Sequence, residues 1–246
     1  MNVLILAAGE RGNDETGSRY PIWLSEIEGR LIIERQVKAL DVGERNKFIF
    51  AFMRDQVESY HVDDIVRQIT PDASIATMSR QTAGAACTAL LAIGHMDPEG
   101  ELVVASATDY VDVDYEAVLS EFRARGADAG VLTFDSLHPR YSFVSIDNDG
   151  WVVEAAEKRP ISRSANAGFY WYARAQDFID SIKMMILKDA HVNGVFYISP
   201  SLNELILRGR KIASHHLAAS QYHPIKDRRQ VDHLEQQMEG RSRHAP

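Results

Sequence analysis

The chain has 246 residues, and 27 lysines and arginines stand against 35 aspartates and glutamates, so its formal charge is −8. Hydrophobic residues make up 45% and charged residues 25%, which excludes a disordered or low-complexity chain and is typical of one large globular domain. The acidic balance argues against DNA or RNA polymers as partners, because their phosphates attract basic surfaces. A local basic cleft for one nucleotide remains compatible with this charge.

The sequence contains no run of about eighteen apolar residues, the length that a membrane-spanning helix needs. The apolar run at residues 3–8 is short and no basic leader precedes it, so we interpret it as a strand rather than a signal peptide. We therefore expect a cytoplasmic protein that has no membrane partner.

Short apolar runs alternate with longer segments of helical period in the first half of the chain. This alternation is typical of βαβ units and of a mainly parallel sheet. The predicted strands are residues 3–8, 47–53, 74–78, 102–107 and 129–134. The predicted helices are residues 31–40, 56–69, 83–93 and 115–125. Asp114 directly precedes the last of these helices and is predicted to cap it.

The pattern changes after about residue 140. Two β-type runs, residues 142–146 and 151–155, flank an Asp-Asn-Asp-Gly turn, which predicts an antiparallel hairpin. The later predicted elements are a strand at 168–172 and helices at 176–187, 200–207 and 230–238, and residues 211–213 precede the last helix. The predicted fold class is therefore α/β, a Rossmann-like and mainly parallel sheet flanked by helices, with a small antiparallel β insert.

Ligands of open parallel sheets bind at the carboxyl ends of strands, so the loops there are candidate sites. The first loop, residues 7–21, contains three glycines, two arginines and a proline, which suits phosphate binding, although such a loop can also be merely flexible. It lacks both the Gly-Lys-Ser/Thr ending and a Gly-x-Gly-x-x-Gly turn. Residues 81–85 open a helix of small residues, where either a nucleobase approaches the backbone or the helix packs tightly on the sheet.

The fourth predicted strand is followed by Asp109, whose carboxylate is well placed to hold Mg²⁺. Residues 215–216 are two histidines with no partner at metal-ligand spacing, so zinc is not expected. The sequence also lacks a Gly-x-Ser-x-Gly elbow, which argues against a serine hydrolase.

Several short segments, taken in chain order, carry a likeness to one family. They are residues 6–9, 21–24, 26–34, 81–85, 107–109, 157–160 and 166–170, followed by Asp227 seven residues before Leu234. This ordered set resembles the motifs of the sugar-phosphate nucleotidyltransferases: the glycine-rich loop, the base-recognition segment, the first metal aspartate, the two sugar-binding strands and the second metal aspartate. The likeness spans nearly the whole chain.

The resemblance implies an enzyme that transfers a nucleoside monophosphate from a nucleoside triphosphate to a sugar 1-phosphate or a similar phosphorylated small molecule, releasing pyrophosphate. The product would serve as a precursor of surface polysaccharides or glycoconjugates. The resemblance also implies Mg²⁺ as cofactor and leaves a homo-oligomer open. Residues 1–246 would form one domain, with a nucleotide-binding part at about 1–135 and a sugar-phosphate-binding part at about 136–240.

The same resemblance assigns individual residues. The implied nucleotide-binding residues are Ala7, Ala8, Gly9, Gln81, Gly84 and Thr108. The implied substrate-binding residues are Glu157, Lys158, Asn166 and Gly168. The implied catalytic cations are Arg11 or Arg19, together with Lys158, and the implied metal ligands are Asp109 and Asp227. Asp227 has a second interpretation as a helix cap or a partner of neighbouring cations.

The chain departs from the family pattern at one position of direct chemical consequence. Ile22 follows Pro21 where the family has a Pro-Lys pair, so the lysine that would neutralise the nucleotide phosphates is missing. This departure leaves two alternatives open: a non-catalytic nucleotide-sugar-binding or regulatory homologue, and a nucleotide-sugar-dependent glycosyltransferase. Pyrophosphate release, binding without turnover, and consumption of a ready-made nucleotide sugar distinguish the three functions.

Overall fold

The structure is a computed structural model, and it describes residues 1–9 and 20–242, with side chains up to residue 238. Within these ranges the strands are β1 (Asn2–Leu6), β2 (Glu26–Ile27), β3 (Arg30–Leu31), β4 (Lys47–Met53), β5 (Ser74–Met78), β6 (Leu102–Ser106), β7 (Asp109–Val111), β8 (Ala129–Asp135), β9 (Ser142–Ile146), β10 (Val152–Glu157), β11 (Ser164–Tyr172), β12 (Ile212–His216) and β13 (Tyr222–Pro224). The α-helices are α1 (Ile32–Leu40), α2 (Arg54–Tyr60), α3 (Val62–Ile69), α4 (Ala85–Leu91), α5 (Tyr115–Ala124), α6 (Ala175–Leu187), α7 (Leu202–Leu207) and α8 (Arg228–Ser242). Short 3₁₀ turns lie at Ile22–Leu24, Ile93–His95 and Ser199–Ser201.

The central sheet has a parallel half in the order β6-β1-β4-β5. The chain builds outward from β1 through β4 to β5 and then returns to place β6 on the other side of β1. The strand order therefore reverses between β1 and β6, and we call the carboxyl ends of these two strands the β1–β6 switch. Open α/β sheets bind their ligands at such a point, because the loops diverge there and leave a crevice.

The other half of the sheet carries the antiparallel insert. Strand β11 runs antiparallel to both β6 and β8, and β9 and β10 form the predicted hairpin at the sheet edge. On the side away from β11, strand β8 pairs with β12, and these two strands are parallel. The predicted α/β fold class with an antiparallel insert is confirmed.

Strand β4 shows why this sequence forms a three-layer structure. Side chains alternate across a strand, so Phe48, Phe50 and Phe52 share one face, where neighbouring rings stack with centroids 6.4 and 5.7 Å apart. That face packs under α1, α3 and α5. Ile49 and Ala51 face the other way, into a second core covered by α4, α6 and α7. Both faces of the strand are buried, as a strand inside a parallel sheet requires.

Two parts of the secondary structure differ from the prediction. The predicted helix at 56–69 is two helices, because His61 adopts a left-handed conformation with φ of +48° between α2 and α3. The short strands β2, β3, β7 and β13 were not predicted, because each has only two or three residues and no periodicity to detect. Among the described residues, no helix combines the length and apolar character needed to cross a membrane.

The predicted cap of α5 gives a stability test. The Asp114 carboxylate accepts a hydrogen bond from the Ala117 amide at 3.1 Å, which satisfies one of the free donors of the first turn. We expect Asp114→Ala to lower the free energy of unfolding by about 1 kcal/mol in urea titrations. Asp114→Asn keeps the acceptor and should stay within a few tenths of a kcal/mol of wild type. Equal losses in the two variants would show that the cap contributes nothing.

Candidate functional site

A cavity of about 700 Å³ opens at the β1–β6 switch. One wall comes from the end of β1, the loop before α4 and the end of β6, and the facing wall comes from the antiparallel strands. Eight of the predicted site residues line it: Ala8, Gly9, Gln81, Gly84, Asp109, Glu157, Asn166 and Gly168. The structure therefore brings together, in one cavity, residues that the sequence separates by up to about 160 positions.

The remaining predicted residues lie elsewhere. Ala7, Thr108, Lys158 and Asp227 are not among the lining residues, although each is next to a residue that is or contacts one. Arg11 and Arg19 lie outside the described residues. The structure gives positions, not functions, so the assigned roles of all these residues stay predictions.

Asp109 lies where the two walls meet. Its side chain is only 11% exposed, and its Oδ1 accepts a hydrogen bond from the Tyr222 hydroxyl at 2.8 Å. Burial and the neighbouring carboxylate raise the pKa of Tyr222 well above its ordinary value, so the hydroxyl keeps its proton and donates. The antiparallel pairing of β13 with β7 brings these two residues together.

Gly168 makes room for the Asp109 carboxylate. Its φ is +73°, and a Cβ at this position would lie 2.9 Å from Asp109 Oδ2. The pairing of β11 with β8 shifts register around it, between Asn166 and Tyr170. Any side chain at position 168 would displace the carboxylate and would also strain the backbone.

The donor set around Asp109 fits Mg²⁺ in one particular way. Within the described ranges, no three His, Cys, Asp or Glu side chains come together as a ready-made metal site. Mg²⁺ in nucleotide enzymes is held by one or two carboxylates and completes its shell with phosphate oxygens and water. Asp109 can supply such a carboxylate to an ion that arrives with a nucleotide.

The structure gives Asp227 a helix-capping contact. Its Oδ1 accepts a hydrogen bond from the Gln230 amide at 3.0 Å, in the first turn of α8. This bond agrees with the helix-cap interpretation and does not test whether Asp227 also binds metal. The metal-binding role implied for Asp227 stays a prediction.

The loop before α4 is held in place by a second segment of the chain. The Phe196 amide donates to the Ala83 carbonyl at 2.7 Å, and the Phe196 carbonyl accepts from the Ala86 amide at 3.0 Å. Gly84, with φ of +122°, lies between these bonds, and a Cβ there would be 2.4 Å from the Phe196 carbonyl oxygen. Glycine at position 84 therefore leaves room for the Phe196 backbone to pack against this loop, and it would also leave room for a flat ligand. A substitution of Gly84 would disturb the packing against Phe196, whereas a substitution of the exposed Gln81 tests contact with the ligand.

The facing wall carries polar groups suited to a hydroxyl-rich ligand. Asn166 is 4% exposed, and its Oδ1 accepts from the Gly168 amide at 2.8 Å, while its Nδ2 has no hydrogen-bond partner in the described part of the chain. A buried amide donor without a partner is costly, so a ligand oxygen would stabilise it. Lys158 Nζ donates to the Tyr197 hydroxyl at 2.6 Å, and Tyr197 lines the cavity.

Several lining residues were missed by the sequence analysis: Arg140, Tyr197, Tyr222 and Lys226. A signal for part of this set existed. Tyr222, Pro224 and Lys226 line the cavity at every second position, whereas Ile225 between them is fully buried in an apolar cluster. This is the alternation of an extended segment. No motif marks Arg140 or Tyr197.

Glu157 gives a pH-dependent prediction. Burial raises the pKa of its carboxyl from an ordinary 4.5 to about 7, and the nearby Lys158 cation partly opposes this. The folded state then binds a proton more tightly than the unfolded state, so stability should fall as the pH rises from about 4.5 to about 7 and then level off. The fall should be on the order of 2 kcal/mol, since partial exposure screens the group.

Urea titrations of wild type and Glu157→Gln at several pH values test this. The variant carries no titrating group at this position, so its free energy of unfolding should lack this part of the pH dependence. The same slope in both proteins would contradict a raised pKa at Glu157.

Comparisons with known proteins show which family the chain belongs to. A sequence model of the family described as "Nucleotidyl transferase" matches residues 8–194. The fold is similar to the nucleoside-diphosphate-sugar pyrophosphorylase from Vibrio cholerae RC9, at 19% identity, 96% coverage of this chain, 100% of that chain and a TM-score of 0.77. It is also similar to HddC from Yersinia pseudotuberculosis complexed with GMP-PN, at 16% identity, 96% and 99% coverage and a TM-score of 0.67.

A UDP-glucose pyrophosphorylase complexed with UDP-glucose matches at 14% identity, with 98% of each chain covered and a TM-score of 0.74. A search of curated proteins found no match. The structural likenesses show the fold, and the family model covers more than half of the chain. The resemblance inferred from the sequence motifs is therefore confirmed, and the chain belongs to the nucleotidyl transferase family.

Proposed function

We propose that this chain transfers a nucleoside monophosphate from a nucleoside triphosphate to a sugar 1-phosphate, or to a similar phosphorylated small molecule, and releases pyrophosphate. One observation carries the proposal: a single cavity at the β1–β6 switch joins Gly9 and Gln81 on one wall to Glu157 and Asn166 on the other, with Asp109 between them. A two-substrate transfer needs both ligands side by side in this way.

The proposed reaction is a direct displacement. A phosphate oxygen of the acceptor attacks the α-phosphorus, and the bond from that phosphorus to the oxygen bridging to the β-phosphate breaks. The electron pair leaves with pyrophosphate, so no covalent enzyme intermediate forms. Because two polyanions meet, positioning and charge neutralisation supply most of the catalysis.

The lining residues divide between the two substrates in this proposal. Gln81 hydrogen-bonds a base edge, and Gly9 lets the first loop approach the phosphates. Glu157 and Asn166 bind hydroxyl groups of the acceptor, and Lys158 acts from beside the cavity on its phosphate. Arg11 or Arg19 would add a cation from the first loop. Ala7, Ala8, Thr108 and Gly168 would shape the site through their backbone.

Mg²⁺, when bound, would withdraw charge from the triphosphate as the bond to pyrophosphate breaks. Asp109 would hold it together with phosphate oxygens, and Asp227 is the proposed second carboxylate. The proposed product, a nucleotide sugar, would feed the synthesis of surface polysaccharides or glycoconjugates in the cytoplasm.

A second candidate function, nucleotide-sugar binding without catalysis, is favoured by one observation. Ile22, at the position of the family lysine, packs against the apolar cluster that contains Ile27, Ile32 and Ile225 and is not among the residues that line the cavity. A screen of the four common nucleoside triphosphates against a panel of sugar 1-phosphates and other phosphorylated alcohols, with pyrophosphate detection, separates the two. Release of pyrophosphate with one pair supports the transferase, and binding without release supports the second candidate.

Asp109 gives the first activity prediction. Because its carboxylate lies between the two walls, we expect Asp109→Asn to lower kcat/KM roughly 10²- to 10³-fold, the scale of losing one preorganised electrostatic contact. Asp72→Asn removes the same charge from an exposed position away from the cavity and should keep full activity. An Asp109→Asn enzyme as active as the Asp72→Asn control would refute the role of Asp109.

Gly168 gives a second activity prediction with a matched control. Gly168→Ala should cost about 1 kcal/mol of stability through its positive φ and should also displace Asp109, so that kcat falls at least tenfold. Gly209 has almost the same φ, +72°, but open space around its missing Cβ. Gly209→Ala should therefore lose similar stability and no activity. Equal kcat in the two variants would show that the position of Asp109 is not limiting.

A further inference from the structure

The structure connects position 22, where the family lysine is missing, to a lysine elsewhere in the chain. Ile22 packs against a cluster formed by Ile27, Ile32, Tyr110, Ile225, Val231 and Leu234. Ile225 is one of its fully buried members. The next residue in the chain is Lys226, and its side chain lines the cavity. Ile22 thus packs in the same cluster as Ile225, the residue that directly precedes Lys226.

Two hydrogen bonds hold the backbone at Lys226. The Ile225 amide donates to the Thr108 carbonyl at 2.7 Å, and the Lys226 amide donates to Gln230 Oε1 at 2.6 Å. The first bond fixes this segment to the end of β6, and the second fixes it to the first turn of α8. The lysine therefore starts from a defined position beside the β1–β6 switch.

The ammonium group of Lys226 lies next to Thr108 and Asp109, which follow β6 in the chain. Its Nζ is 3.9 Å from Asp109 Oδ2 and 3.4 Å from Thr108 Oγ1, and its side chain is 60% exposed. The first distance is longer than a hydrogen bond and the second is a weak one. An ammonium has three donors, so most of its hydrogen-bonding capacity faces the cavity and solvent.

The other cation on the described cavity wall is engaged differently. Arg140 stacks its guanidinium over the Tyr141 ring at 4.6 Å and donates to the Tyr141 hydroxyl. It belongs to the loop before β9, in the wall opposite Gly9 and Gln81. Lys226 is thus the lining cation, within the described part of the chain, that lies beside Asp109 and the carboxyl end of β6.

We propose that Lys226 binds the pyrophosphate portion of the nucleoside triphosphate and neutralises it as it leaves, in place of the lysine missing at position 22. This proposal rests on the function proposed above. The ammonium already lies near the Asp109 carboxylate, and phosphate oxygens of a bound triphosphate would offer it stronger acceptors than the 3.9 Å contact does. The same charge would stabilise the oxygen that carries the electron pair after the α-phosphorus bond breaks.

Binding of inorganic pyrophosphate tests this directly, without knowledge of the base or the acceptor. Calorimetric titrations are made in EDTA, which removes divalent ions, and in low salt, which limits screening. Under these conditions protein cations dominate the affinity. We expect Lys226→Gln to weaken pyrophosphate binding at least tenfold and Lys226→Arg to keep most of the affinity. Lys183→Gln removes the same charge from an exposed position on α6, outside the cavity, and should bind as wild type does.

Each alternative result decides the question. Unchanged affinity in Lys226→Gln, equal losses in Lys226→Gln and Lys183→Gln, or no pyrophosphate binding by wild type would overturn the proposal. Thermal denaturation of all variants checks the fold, and if Lys226→Gln is unstable the decision passes to Lys226→Met, which removes the charge and keeps an unbranched side chain. Affinity lost in a folded Lys226→Arg as well would count against a role of the charge.

Turnover separates this proposal from the proposed function. In an active enzyme, Lys226→Gln should raise KM for the triphosphate and lower kcat, while KM for the phosphorylated acceptor stays within about twofold. Absence of pyrophosphate release by wild type with every substrate pair would refute the transferase function, and the pyrophosphate titration would still decide the role of Lys226.

Discussion

The nearly buried carboxylate of Asp109 is the constraint around which the site is built. A carboxylate that is only 11% exposed needs hydrogen bonds or a nearby cation, because burial otherwise disfavours its charge. The segment of β13 and the two residues after it meets this need, because it supplies the Tyr222 hydroxyl and the Lys226 ammonium, and β11 leaves space for the carboxylate at Gly168. These contacts fix the antiparallel wall and the C-terminal segment relative to the β1–β6 switch. The spacing of the two cavity walls depends on them.

The charge distribution bears on how an acidic chain would bind the two polyanions of the proposed reaction. With a net charge of −8, the protein as a whole repels phosphates, so affinity has to come from cations held at defined places in or beside the cavity. Lys158 is attached to the wall through Tyr197, Arg140 through Tyr141, and Lys226 through the hydrogen bonds of the residue 225 and 226 amides. Glu157 reduces the negative charge of the site in another way. Its raised pKa leaves a carboxyl that is partly neutral near pH 7 and can donate as well as accept a hydrogen bond.

Features encoded by local pattern could be predicted from the sequence. The alternation of Phe48, Phe50 and Phe52 marks a strand, Asp114 marks a helix start, and the end of the fourth predicted strand places Asp109 in the crevice. Features that depend on long-range pairing could not. The alternation along residues 222–226 is typical of an extended segment, but it does not place Lys226 in the site; that placement comes from the pairing of β13 with β7, more than 100 positions earlier in the chain.

Gly84 is a second residue whose surroundings depend on distant parts of the chain. The sequence left two interpretations of the small residues at 81–85, a close approach by a nucleobase or tight helix packing, and the closest atoms to the missing side chain of Gly84 belong to Phe196, more than 100 positions away. The split of the predicted helix at His61 is a further case, since no glycine or proline announces the left-handed residue there. In each of these cases tertiary packing decides a conformation on which the local sequence is neutral.

The proposed function requires that the cavity at the β1–β6 switch bind a nucleoside triphosphate with its phosphates beside Asp109. A crystal structure with a non-hydrolysable analogue of the triphosphate that the wild type binds most tightly tests it most directly. We expect the base to lie against residues 81–84 and a phosphate oxygen to lie within hydrogen-bonding distance of Lys226 Nζ. A nucleotide bound outside the cavity, or one whose phosphates point away from Asp109 and Lys226, would contradict it.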